Sequence, residues 1–206
     1  MYAIRQARNT AEAREQALPG YYDSSFEAYA VKVLPGEYLV TGDDVMLVTL
    51  LGSCVAACVH DPLSRIGGMN HFMLPDSETG DRATARYGAY AMEMLINDLL
   101  KRGAARNRLE AKVFGGGAVL AALSSSDVGE RNARFVLAYL EAERIPILAQ
   151  DLGDTCPRRV HYFARDGRAM VRRLPTAQRA EVLAGEKVYR SRLRETPATG
   201  DVELFT

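Results

Sequence analysis

The run Cys54-Val55-Ala56-Ala57-Cys58-Val59-His60-Asp61-Pro62-Leu63-Ser64-Arg65-Ile66-Gly67-Gly68-Met69-Asn70-His71-Phe72 decides the fold. Its first half reads two ways: Ser53 can cap a helix that begins at Val55, or the same apolar residues can form a buried strand. The stop at Asp61-Pro62 and the glycines before the next apolar residues favour a hairpin between Cys54–His60 and Ile66–Phe72. Two registers are open. A two-residue type I turn at Pro62-Leu63 sets Cys54 directly across from His71, but that turn matches strand twist poorly. A longer loop that pairs Asp61 with Ile66 sets them on a diagonal of one face, about 7–8 Å apart by backbone. A slip by one residue sends the two side chains to opposite faces.

Upstream, β-branched residues mark strands at Ala30–Leu34, Glu37–Thr41 and Val45–Leu50, with turns at Pro35-Gly36 and Gly42-Asp43-Asp44. Downstream, Tyr87, Ala91, Met94, Leu95, Leu99 and Leu100 recur near a 3.6-residue period and predict a helix from Arg82 to Lys101, stopped at Gly103. A strand over Leu109–Phe114 runs into Gly115-Gly116-Gly117, and a second helix is expected from Gly129 to about Arg144, with Asp127 near its start. Ile145–Gln150, Val160–Ala164 and Ala169–Leu174 read as further strands. Strands with two main helices among them imply an α+β domain, its sheet mixed and mostly antiparallel. Residues 1–27 read as a polar arm with a short helix at Thr10–Ala17, residues 28–175 as the domain, and residues 176–206 as a charged helix from Thr176 to about Arg194 followed by a tail.

Composition narrows the partners. With 26 basic and 26 acidic side chains the chain has no net charge, so nothing favours nucleic acid or an anionic membrane surface. No secretion signal and no stretch of eighteen apolar residues is recognisable, which makes a reducing cytoplasmic location the expectation. Three cysteines, an odd number, fit free thiols.

A free thiol is only slightly ionised at neutral pH, so a nucleophilic Cys54 needs a base, and His71 is placed to be one. Gly52-Ser53 carry little bulk and offer backbone N–H groups to a developing oxyanion. Thr49, on the strand entering the turn, can orient a substrate amide or the imidazole. The bland reading is that Cys54 fills core space and Thr49 is an ordinary strand residue. Zinc is the rival chemistry, from Cys54, Cys58 and His60. On a strand, however, residues 54 and 58 are about 13 Å apart, and no further paired ligands complete a set, so no metal is expected. The triple glycine lacks the Lys-Ser/Thr ending of a phosphate loop and is better explained by tight backbone packing near the active turn. The basic residues between Arg165 and Arg173 read as solvated surface.

Taken together, Thr49-Leu50-Leu51-Gly52-Ser53-Cys54-Val55, Gly67-Gly68-Met69-Asn70-His71-Phe72-Met73-Leu74-Pro75, Val113-Phe114-Gly115-Gly116-Gly117 and Val128-Gly129-Glu130-Arg131-Asn132 resemble the CheD family of chemoreceptor glutamine deamidases, from about Val33 to Leu174. The resemblance implies a layered α/β/β sandwich and a Cys–His pair with a nearby Thr that hydrolyses receptor glutamines. That carries over to Cys54 and His71, with Thr49 as the nearest match. It further implies action without a cofactor, the helical cytoplasmic domain of a chemoreceptor as substrate, association in some members with the chemotaxis phosphatase CheC, and in some hydrolysis of glutamate methyl esters. Asp151-Leu152-Gly153-Asp154 departs from the family pattern, in which a second glycine is common.

Overall fold

The computed structural model describes residues 19–75, 81–118, 128–175 and 179–195. The helix expected at Thr10–Ala17 and the Asp127 start expected for the second helix lie outside them.

Among the described residues, ten strands form two five-stranded sheets. The first sheet contains β1 (Gly20–Asp23), β2 (Ala28–Lys32), β4 (Val45–Leu51), β9 (Arg158–Phe163) and β10 (Arg168–Arg173), side by side in that order. The second runs β3 (Tyr38–Thr41), β6 (Ile66–Asn70), β5 (Val55–Asp61), β7 (Glu110–Gly115) and β8 (Ile147–Leu152). Each has one parallel pair, β2 with β4 and β7 with β8, and is otherwise antiparallel. Helices α1 (Asp81–Lys101) and α2 (Val128–Ala142) pack on the second sheet. A third helix, α3 (Arg179–Glu195), follows β10. The fold is α+β, layered as helices on sheet on sheet. Strand β1 falls within the stretch read as an arm. Its four residues are too few for a readable alternation, and pairing to the edge of β2 defines it.

Strand β5 explains why its own sequence was ambiguous. It is central in the middle layer and buried on every residue, so it needs apolar side chains on both faces and shows no polar alternation. The alternation is instead between two cores. Val55, Ala57 and Val59 join Phe72, Leu95, Leu99, Val136 and Leu140 beneath the helices. Cys54, Ala56 and Cys58 join Leu47, Leu51, Met69, Met73 and Tyr162 between the sheets.

The hairpin takes the longer-loop register, Asp61 opposite Ile66 and Cys58 opposite Met69, and the same register continues to a bridge between Val55 and Phe72. Asp61 makes the loop. One carboxylate oxygen accepts from the backbone N–H groups of Leu63 (3.0 Å) and Ser64 (3.3 Å), the other from Ala105 (2.8 Å), and Arg108 binds both. The Arg108 guanidinium holds the Asp61 carboxyl well below the usual carboxylate range. Gly67 in β6 lets the sheets close up, because a Cβ there would stand 2.3 Å from the Ala164 carbonyl oxygen.

Candidate active site

In this register Cys54 and His71 lie on a diagonal of the face directed between the sheets. Thr49 reaches that space from the opposite sheet, sharing the strand face of Leu47 and Leu51, both in the inter-sheet core. The Gly52-Ser53 turn is the link by which the chain crosses from β4 to β5, so the site is built where one sheet hands over to the other.

The His71 residue is fixed through backbone and ring. Its main-chain N–H donates to the Glu37 carbonyl (2.9 Å), and its own carbonyl accepts from Gly36 N–H (2.8 Å). The Thr49 hydroxyl donates its single proton to the Val33 carbonyl (2.7 Å) and lies 2.8 Å from His71 Nδ1. With that proton committed, the hydroxyl can only accept from the ring. Nδ1 therefore carries the hydrogen, and Nε2 holds a lone pair. Nε2 is buried and has no hydrogen-bond partner among the described residues. Burial holds the imidazole below its ordinary pKa, with the neighbouring Glu186 carboxylate working in the opposite direction. The ring is a neutral base of defined tautomer.

Removing the Thr49 hydroxyl tests this. Thr49→Val should lower kcat by roughly 10- to 100-fold through a less well fixed tautomer, less than the full effect of removing a general base, and cost about 1 kcal/mol for the lost hydrogen bond to the Val33 carbonyl. Thr49→Ser should restore both, as read by paired turnover and thermal-unfolding measurements. Equal turnover in Thr49→Val and the parent would remove the threonine from the site.

Cys54 is fully buried at the head of β5. Its carbonyl accepts from Gly116 N–H (2.8 Å), and the Gly52 carbonyl from Gly117 N–H (2.7 Å). The triple glycine thus serves as a backbone brace on the turn. At Gly115, φ is +109° and a Cβ would stand 2.1 Å from the Cys54 carbonyl oxygen. Asn132 of α2 completes the brace: its amide donates to the Ser53 carbonyl (2.8 Å) and its oxygen accepts from Leu74 N–H (2.9 Å). The Asp151–Asp154 loop is tied in by Gly153 N–H to the Gly115 carbonyl (2.9 Å). The buried Arg158 guanidinium grips that loop through Asp151 and the Gly153 carbonyl.

The row of N–H groups expected from Gly52 and Ser53 is present and extends to Cys54, and it holds an anion. The Glu186 carboxylate of α3 accepts from Gly52 N–H (3.0 Å) and Cys54 N–H (2.8 Å) on Oε1, and from Ser53 N–H (3.0 Å) and the Ser53 hydroxyl (2.7 Å) on Oε2. Burial, reinforced by this carboxylate, pushes the Cys54 thiol well above its ordinary pKa. Thiol and imidazole share a face without a hydrogen bond between them: the ring's side-chain partner is Thr49, and Nε2 stays unpaired.

Sequence reading missed Glu186, Asn132 and Arg158. Asn132 stands inside a quoted motif, whereas Glu186 lies 132 residues from Cys54 in a charged segment and carries no local signal. Among the described residues no three His, Cys, Asp or Glu side chains gather into a metal-binding group. Cys58 is buried in the inter-sheet core, and Cys156 is partly exposed.

A family described as CheD chemotactic sensory transduction matches residues 73–173. A probable chemoreceptor glutamine deamidase CheD of Xanthomonas campestris pv. campestris is 59% identical over 185 residues, covering 90% of this chain and 93% of that protein. Proteins with the same description from Stenotrophomonas maltophilia and Bordetella avium are 56% identical over 195 residues and 64% identical over 169. They cover 95% and 80% of this chain, and are themselves covered to 98% and 75%. Among solved structures, Bacillus licheniformis hypothetical protein YfiH overlaps with a TM-score of 0.37 at 13% identity, over 57% of this chain and 51% of that one, too loose a likeness to define the fold. Identity at this level over nearly the whole chain places the protein in the CheD family.

Proposed function

We propose that this chain hydrolyses glutamine side chains of chemoreceptors to glutamate, with the Cys54 thiol as nucleophile and His71 as base. The observation that carries the reading is the row of N–H groups from Gly52 to Cys54, which collects a side-chain carboxyl group beside a buried thiol. Donors so arranged suit the oxygen of a tetrahedral intermediate. The relatives' printed description as probable chemoreceptor glutamine deamidases supplies the substrate class.

In the reaction His71 Nε2 takes the thiol proton and the sulfur adds to the glutamine Cδ, sending the carbonyl electron pair onto oxygen, where the N–H groups of Gly52 and Cys54 receive it. Collapse of that intermediate breaks the C–N bond. The imidazolium returns its proton to the departing nitrogen, and ammonia leaves a thioester. Water then adds, deprotonated by His71; the C–S bond breaks, glutamate is released and the thiol is regained. Each conversion adds a negative charge to the receptor's helical cytoplasmic domain. The reaction belongs in the cytoplasm, where that domain lies. No helix among the described residues is long and apolar enough to cross a membrane.

Incubation of a receptor cytoplasmic fragment with the protein is expected to yield ammonia and the mass gain of amide-to-acid conversion at defined glutamines. Stable complex formation with every glutamine intact would replace the enzyme by an adaptor.

A further inference from the structure

Helix α3 has an unusual inward face. Along its buried stripe stand Val182, Glu186 and Tyr189, with Leu193 partly buried beyond them. An ionisable side chain thus sits in the middle of an apolar stripe, 2% exposed. A buried carboxylate needs its lone pairs met, and the usual partner is a cation. Here the four donors are three successive backbone N–H groups and a serine hydroxyl, all from the turn that carries Cys54. The helix is also held one turn beyond the contact. Tyr189 packs over Gly36, where a Cβ would stand 2.9 Å from its ring, and the Tyr189 hydroxyl meets that of Tyr87 at 2.7 Å.

A glutamyl side chain delivered from a helix to this turn has the chemical form of the product of deamidation. We propose that α3 is a built-in product mimic: Glu186 occupies the place of the newly formed glutamate, so the helix competes in cis with a receptor helix, and a glutamine at position 186 would be a substrate for the chain's own thiol. This rests on the deamidase reading above. The pairing pattern tells product from substrate. A carboxylate accepts from all four donors. An amide keeps its oxygen on the Gly52 and Cys54 N–H groups but turns an NH2 toward Ser53 N–H, donor against donor. Product therefore binds this turn better than substrate, and an encoded glutamate is the better plug. Occupancy also explains how a buried thiol next to an anion can belong to a working site: the structure is the closed form, in which burial and the neighbouring carboxylate together keep the thiol protonated.

The test uses the 206-residue chain in three variants. Glu186→Ala removes the competing carboxylate and should raise kcat/KM on a receptor fragment about tenfold or more, chiefly through KM, as expected when the competent form is a minor fraction. Glu186→Gln should be recovered with glutamate at position 186, by peptide mass spectrometry. In that conversion water supplies the new oxygen and ammonia is lost, and in the Cys54→Ala, Glu186→Gln double variant the introduced glutamine should persist. Thermal unfolding confirms that each variant is folded. In a chain that converts receptor glutamines, absence of either the Glu186→Ala gain or the conversion at position 186 would overturn the proposal. If neither receptor glutamines nor the glutamine introduced by Glu186→Gln are converted, the deamidase reading falls, and this proposal with it.

Discussion

Cys54→Ala is expected to reduce receptor glutamine conversion by at least roughly 10⁴-fold, the scale seen when a covalent nucleophile is removed. No other thiol is placed to form the acyl intermediate. Cys58 stands in the middle of β5 opposite Met69, away from the N–H row of Gly52 to Cys54, and Cys156 lies in the loop before β9. The substitution deletes one sulfur from a fully buried position whose carbonyl is held by Gly116, between a Ser53 carbonyl held by Asn132 and a β5 ladder that begins at Val55, so the loss of stability should be only about 1 kcal/mol. Ammonia release and intact-mass analysis of the receptor fragment give the first quantity, and thermal unfolding the second. Full activity in folded Cys54→Ala would end the thiol mechanism, leaving the N–H row as a binding feature only.

His71→Ala should cost roughly 10²- to 10⁴-fold in kcat, the range for a positioned general base. Because His71 acts through the thiol, the Cys54→Ala, His71→Ala double variant should be scarcely slower than Cys54→Ala alone. Two independent losses that multiplied would separate the imidazole from the sulfur's chemistry. The pH dependence has a definite sign. Burial lowers the imidazole pKa, so the neutral base persists on acidification past its ordinary value of about 6.5, and the acid limb of kcat/KM should fall below that value. Stability follows the same group. Between the lowered folded value and about 6.5 the unfolded chain binds more protons, so stability should rise with pH across that window and be insensitive to His71 above it. His71→Ala should flatten that part of the curve.

Local pattern was sufficient for much of the fold because the physics there is local. The α1 period, the β-branched residues of β4, and the Pro-Gly and Asp-Pro breaks are set by neighbours in sequence. Strand β5 was harder, since burial on both faces erases the polar alternation that separates strand from helix. Its register turned on the Asp61 carboxylate, whose partners Ala105 and Arg108 lie over forty residues away. Pairing of Thr49 with His71 was foreseeable only as one of two roles for the hydroxyl. The Val33 carbonyl decides between them by taking the hydroxyl proton, and Val33 comes beside Thr49 only when β2 pairs with β4.

Residue types that the chemistry needs are legible in the linear chain: a thiol after a small-residue turn, a histidine across a hairpin, and glycines where a Cβ would strike a neighbouring backbone. Two features came only with packing, namely the tautomer of His71 and the closure of the N–H row around the Glu186 carboxylate that α3 delivers. The difference is one of range. Propensity and periodicity act over a few residues, whereas a hydrogen bond between Cys54 N–H and Glu186 exists only after α3 has packed back onto the turn between the two sheets.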